Sequence, residues 1–261
     1  MKMKSLLVPF TSFKFLLYQL TQKEIKARYK QSIIGYAWVL LNPLSQLFVY
    51  SFVFSVVFRF PTGNIPYPIF LFAALLPWTF FQTSILSATN SLVSHADLLK
   101  KVSFPRETIV YAAVASKVVD FFFSVLVFIV LILYYQVPLS VSFIYFFPLF
   151  LIQLLLTTGI SLILAAANLF YRDIQYVANL LMLLWFYVTP IVYPLAMVPK
   201  EYIWLYKLNP MVGLVEGYRS ALFGYPFETT IIAWAVGISV LIFIVGFAVF
   251  KKLEKLFADL V

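Results

Sequence analysis

The chain has 261 residues, of which 63% are hydrophobic and 11% charged, against about 25% charged in an average soluble domain. Too few charges exist to clothe a water-facing surface, and hydrophobicity this high excludes a disordered chain. The net charge is +9, there is no cysteine and His95 is the one histidine, so disulfide frameworks, thiolate metal sites and zinc or di-iron centres are excluded.

These features define an integral membrane protein, read as one all-α domain over 1–261. The basic excess suits the anionic inner leaflet and membrane orientation rather than nucleic acid. In chain order, Phe10, Phe13, Leu16, Leu17 and Leu20 recur at helical spacing, opposite Thr11, Lys14, Tyr18 and Thr21. This pattern predicts an amphipathic interface helix over 9–22. Lys14 interrupts the apolar run, which argues against a signal peptide.

Charge-free stretches then mark the spans. Between Lys30 and Arg59 lie 28 uncharged residues, and between Arg59 and Asp97 lie 37. Spans are predicted over 36–58 and 66–93. The 51 residues from Asp120 to Arg172 are too long for one span. Val137-Pro138-Leu139-Ser140 supplies a turn, giving spans over 115–135 and 143–169. Two more fall over 174–197 and 229–250. Each has the roughly 20 residues that a crossing needs, and the period-2 alternation of a barrel is absent. Lys and Arg divide fourteen to four between the two sides, with Lys117 near a boundary. Both termini are therefore expected to be cytoplasmic.

Two pieces do not span. Residues 94–107, SHADLLKKVSFPRE, read as a short cytoplasmic helix with a turn at Phe104-Pro105, because a residue before proline resists the α conformation. The basic segment suits either a soluble partner or lipid headgroups. The outer connection 198–228 contains MVGLVEGYRSALF, 13 residues, a length that suits a re-entrant or interfacial piece. Within it Glu216 and Arg219, at i and i+3, are placed to pair.

None of the eight glycines opens a Walker A phosphate loop, so ATP hydrolysis by that route needs another subunit. A catalytic role for His95, near Asp97 in the basic connection, has no supporting constellation. Lys117 and Asp120 are the charges that fall inside a predicted span, on one helical face. They read as a local pair at the membrane boundary ahead of a transport role. Prolines at 43, 77, 148 and 190 invite kinks or breaks. Aromatics make up 20% of the chain. Many suit lipid or belt positions, and others suit an aromatic-walled conduit in which sugar rings stack weakly and slide.

The segments LTQKEIKARYKQSIIGYAWVLLNPL (20–44), NSLVSHADLLKKVSFPRETI (90–109), ANLFYRDIQYV (167–177), TPIVYP (189–194) and NPMVGLVEGYRSALFG (209–224) occur in an order that resembles the permease subunits of type-2 ABC exporters. More narrowly they are similar to the permeases exporting O-antigen and teichoic-acid polysaccharides. The resemblance implies a homodimer in the bacterial inner membrane, paired with two ATP-binding subunits that carry ATP and Mg. The cargo would be a polysaccharide on a polyprenyl diphosphate, moved outward. Docking to the ATPase would fall to Leu98, Leu99, Lys100, Lys101, Phe104, Pro105, Arg106 and Glu107, with Lys23, Lys26 and Tyr29 as a second contact. Ser103 departs from the aromatic expected there. The conduit would lie at the dimer interface along spans one and five, with Tyr36, Trp38, Phe48, Phe52, Trp185, Tyr187 and Tyr193 as its aromatic candidates. The region 199–224, with Glu216 and Arg219, would form the periplasmic exit. Arg28, Lys30 and Arg59 are candidates for the diphosphate headgroup. Alternatives are a type-2 exporter of small hydrophobic drugs or lipids, a membrane enzyme acting on lipid-linked sugars, and a membrane scaffold.

Overall fold

A computed structural model describes residues 10–29, 35–57, 65–101 and 104–257. Among the described residues the regular structure is helical throughout. The chain runs through α1 (Phe10–Tyr29), α2 (Trp38–Ser51), α3 (Tyr67–Ser94), α4 (Ala96–Lys101), α5 (Glu107–Tyr134), α6 (Phe146–Phe170), α7 (Ile174–Val188), α8 (Ile203–Lys207), α9 (Pro210–Phe223) and α10 (Thr229–Leu253). A 3-10 turn at Gly35–Ala37 leads into α2, and a π-helical stretch at Phe52–Val57 follows it.

Four helical stretches are long and apolar enough to cross a bilayer: Tyr67–Ser94, Glu107–Tyr134, Val141–Phe170 and Thr229–Leu256. α3 is the central one. It is apolar all round, and Phe72, Phe81, Leu75, Ile85 and Leu92 are each fully or almost fully buried. A helix without a polar face is stable only when neighbours or lipid cover it on every side. Here α2, α5, α6, α7 and α9 all pack on it. α5 and α10 keep large apolar side chains exposed, such as Leu133, Val130, Leu241 and Ile244. That is the pattern of a lipid-facing rim.

α6 and α10 meet backbone to backbone. A Cβ at Gly246 would stand 2.3 Å from the Gly159 carbonyl oxygen, and one at Gly159 would stand 2.7 Å from Phe243 Cα. Small residues let membrane helices approach this closely, where van der Waals packing replaces the missing hydrophobic drive.

Three boundaries differ from the hydropathy reading. α1 continues past residue 22 to Tyr29, because its cationic last turn suits a helix C-terminus. α5 starts at Glu107 rather than 115, because Pro105 ends the preceding turn. The helix placed over 174–197 stops at Val188, after 15 residues or about 22 Å. Pro190 and Pro194 remove two N–H donors and push Thr189 into extended backbone (ψ 135°).

Candidate functional site

The stop after α7 leaves the carbonyls of residues 190–192 outside any helix, in a segment whose Pro190, Ile191 and Val192 are buried. Irregular backbone is tolerated there only when protein satisfies it. The required partners come from far along the chain. Arg219 on α9 donates from Nη1 to the Pro190 carbonyl (2.8 Å) and from Nη2 to the Ile191 carbonyl (2.8 Å). Tyr67, in the first turn of α3, donates its hydroxyl to the Val192 carbonyl (2.7 Å). Three consecutive carbonyls of the broken segment are thus served by two side chains.

Arg219 is almost wholly buried, at 1% exposure, which would be untenable without a counter-charge. Glu216 supplies it at 2.7 Å, as the i, i+3 spacing anticipates. The guanidinium also lies 3.7 Å over the Phe70 ring. α9 itself is defined by local signals. Asn209 caps it by accepting from Met211 N (3.0 Å), Pro210 occupies the first turn, and Gly224 closes it in the left-handed conformation (φ 73°). Asn209 also accepts from the Trp185 indole (2.8 Å) and donates to the Thr189 hydroxyl (3.0 Å). One amide therefore fixes the end of α7 to the start of α9.

Trp185 and Phe186 belong to an aromatic cluster with Phe81, Trp78 and Tyr50. Ring centroids are 5.2 Å for Phe81–Trp185 and 5.7 Å for both Trp78–Phe186 and Tyr50–Phe186. The Tyr193 hydroxyl donates to the Tyr187 carbonyl (3.1 Å) and shares a hydrogen bond with Tyr206 (2.9 Å). Trp38, Phe48 and Phe52 on the α2 side, and Tyr187 on α7, are exposed. With Tyr176, Leu180, Leu181 and Leu184 they leave much of α2 and α7 uncovered and apolar. Tyr36 lies in the 3-10 turn before α2.

At the opposite end of α3, α4 follows after one residue, His95. Lys100 and Lys101 are exposed, Leu99 is buried, and Leu98, Phe104 and Pro105 are half-buried. Arg106 and Glu107 turn toward the end of α10 in the same chain. Arg106 donates from its backbone N to Glu254 Oε1 (3.2 Å) and from Nη1 to the Glu254 carbonyl (2.7 Å). Lys251 bridges Glu107 (2.7 Å) and Glu254 (2.9 Å). α1 lies against α5, with Lys23 and Lys26 exposed and Tyr29 at its end. Glu24 of α1 is 3.6 Å from His95 Nε2. Arg28 donates to the Asp120 carboxylate and to the Ser116 hydroxyl (3.0 Å) on α5. Lys117 is 3.7 Å from the same carboxylate. Lys30 and Arg59 lie outside the described residues.

Sequence reasoning missed four organising side chains: Tyr67, Gln153, Asn168 and Asn209. Gln153 donates to the Pro77 carbonyl (2.6 Å) and accepts from the Tyr218 hydroxyl (2.8 Å). Asn168 donates to the Thr89 carbonyl (3.0 Å) and accepts from Gln175 N (3.0 Å) at the start of α7. For Gln153 and Asn168 the available signal was an amide inside an apolar run. For Asn209 it was the Asn-Pro helix start. For Tyr67 there was none.

Among the described residues the chain is all-helical, with four helices long and apolar enough to cross a membrane and a broken helix whose carbonyls a buried arginine serves. The chain belongs to the ABC-2 type transporter family, whose family model matches residues 16–223. It is 34% identical over 252 residues to an O-antigen export system permease protein RfbA of Myxococcus xanthus, covering 95% of each chain. It is 34% identical over 248 residues to a protein of the same name from Klebsiella pneumoniae, covering 94% of each. A polysialic acid transport protein KpsM of Escherichia coli is 24% identical over 241 residues, covering 89% of this chain and 91% of that one.

Proposed function

We propose that this chain is the membrane-spanning permease subunit of an ATP-driven exporter. Its cargo is a polysaccharide of the O-antigen or teichoic-acid type on a polyprenyl diphosphate, moved from the cytoplasmic to the outer face of the inner membrane. The observation that carries this is end-to-end similarity, at about a third identity, to O-antigen export permeases.

In this reading α2 with its π-helical continuation and α7 complete a set of six spans with the four long ones. Both termini, α1 and α4 face the cytoplasm, and 198–228 faces outward. Two copies assemble through the uncovered apolar faces of α2 and α7, and the conduit runs between them past Trp38, Phe48, Phe52 and Tyr187. Such walls offer weak, repeated contacts, which a sliding polymer requires. The exposed Lys100 and Lys101 of α4, with Lys23 and Lys26 of α1, dock two copies of a separate ATP-binding subunit. That subunit supplies the nucleotide chemistry, and no cofactor is assigned to this chain. Arg106 and Glu107 link the docking loop to α10. Lys30 and Arg59 remain the cations assigned to the diphosphate, while Arg28 is shared with Asp120 and Ser116.

Deleting the gene tests the reading, with polyprenyl-linked glycan measured on each face of the inner membrane. Accumulation on the cytoplasmic side, relieved by restoring the chain, is the expected result. An unchanged distribution in a strain without a second exporter would move a small hydrophobic cargo to first place. A charge reversal, Lys100→Glu with Lys101→Glu, is expected to abolish co-purification of the ATP-binding subunit while leaving the chain in the membrane.

A further inference from the structure

α1, α3 and α4 meet at one side chain. His95 is the single residue between α3 and α4. Its backbone N donates to the Ser91 and Leu92 carbonyls (3.2 and 3.3 Å), and its own carbonyl accepts from Leu98 N and Leu99 N (3.0 and 3.2 Å). It therefore ends one helix and begins the next. The ring is covered, with 7% of the side chain exposed.

Both ring nitrogens face acceptors. Nδ1 lies 3.0 Å from the Ser91 carbonyl oxygen, and Nε2 lies 3.6 Å from Glu24 Oε1 of α1. A carbonyl and an ionised carboxylate can only accept. A neutral imidazole has one N–H, so either tautomer would aim a lone pair at an oxygen. Imidazolium, with two N–H groups, serves both. The other charged groups around the joint point elsewhere. Arg28 of α1 donates to Asp120 and Ser116 of α5, and Lys117 of α5 lies 3.7 Å from the same carboxylate. Glu24 also attracts Lys117. Asp97, Lys100 and Lys101 of α4 are exposed. Among the described residues Glu24 is the carboxylate paired with the ring.

We propose that His95 is a protonation-controlled latch, which as imidazolium holds α1 against the α3–α4 joint. Histidine is the side chain that changes charge between about pH 5 and 8, and a carboxylate stays ionised over most of that range. The latch is closed on the acid side of the histidine range and opens as pH rises through it. Arg28 ties α1 to α5 one turn further on, so opening loosens α1 without detaching it. The exposed cations Lys23 and Lys26 of α1 and Lys100 and Lys101 of α4 flank this joint. A change in cytoplasmic pH thereby alters how the two docking sets are held relative to one another, and that consequence alone rests on the proposed function.

The chain has one histidine and no cysteine, so a histidine label and introduced cysteines each report without background. The full chain, 15N-labelled at histidine and carrying a purification tag free of histidine, is placed in nanodiscs and titrated across the histidine range. The ring is expected to show two N–H nitrogens on the acid side and one on the alkaline side. Glu24→Gln is expected to move the midpoint toward acid, because the carboxylate favours the charged ring. Spin labels at Tyr18→Cys and Ser94→Cys, both exposed positions, report α1 against the end of α3. Their distance distribution is expected to broaden as pH rises, at the same midpoint as the ring, and to lose that pH dependence in Glu24→Gln and His95→Gln. Glu24 is part-exposed, so Glu24→Gln decides the matter should His95→Gln not fold. An unmoved midpoint in Glu24→Gln, or a wild-type distance distribution that ignores pH, overturns the proposal. Neither measurement involves cargo or the ATP-binding subunit, so failure of the polysaccharide reading would leave both results unchanged.

Discussion

Two prolines interrupt helices of this protein with opposite outcomes. α3 runs straight through Pro77 and remains helical from Tyr67 to Ser94. α7 ends at Val188, two residues before Pro190, and the chain stays irregular until Leu195. The difference lies in the neighbours. At Pro77 the helix is buried and packed by its neighbours, and Gln153 of α6 adds a donor to the Pro77 carbonyl. At Pro190 a second proline follows at 194, and three carbonyls in a row need donors. A broken helix thus persists only because a buried cation and a tyrosine were placed opposite it. The contrast teaches that a proline's effect in a membrane helix is set by the donors nearby as much as by the proline.

Removing the cation attacks the break at Pro190 directly. Arg219→Ala leaves the part-buried Glu216 and two buried carbonyls without partners, which costs on the order of 3 kcal/mol. The expected outcome is a chain that fails to accumulate in the membrane, seen in a fluorescence size-exclusion profile. Arg219→Lys restores the charge but not the two-carbonyl fork, so partial recovery is expected. The contact at Pro77, where the helix is unbroken, is worth less. Gln153→Leu strands the Tyr218 hydroxyl and removes the donor at Pro77, for about 1–3 kcal/mol. A lowered melting temperature with the chain still folded is the expected reading. Smallest is Tyr67→Phe, which deletes one of the three donors at the Pro190 break, about 0.5–1.5 kcal/mol. If Tyr67→Phe proved more damaging than Arg219→Ala, the assignment of the break to Arg219 would be wrong.

The long helices were legible because charge-free runs report on the solvent around them. Tyr67–Ser94, Val141–Phe170 and Thr229–Leu253 lie close to the hydropathy boundaries. The outer piece 211–223 was legible for a different reason, since its 13 largely apolar residues are too few for a crossing, and α9 covers Pro210–Phe223. The Glu216–Arg219 pair followed from spacing on that helix. Hydropathy carried the α7 span on to 197, because it counts apolar residues and ignores missing N–H donors, although Pro190 had marked a site for a kink or break. Nor could the sequence show that Arg106 and Glu107 engage Glu254 and Lys251, about 145 residues away. Composition had marked those charges only as part of a basic loop.

By itself the sequence determined that the chain lives in a bilayer, where its long helices run, and that an N-terminal helix precedes them and a basic helical segment follows α3. These are properties of solvent preference, and each residue carries its own. The tertiary structure alone decided which polar groups meet. Arg219 could be matched to Pro190 and Ile191, Gln153 to Pro77, and Asp120 to Arg28 only once α9, α6 and α1 were packed in place. Hydrogen bonds and ion pairs act over about 3 Å, and no local pattern encodes a distance across the fold.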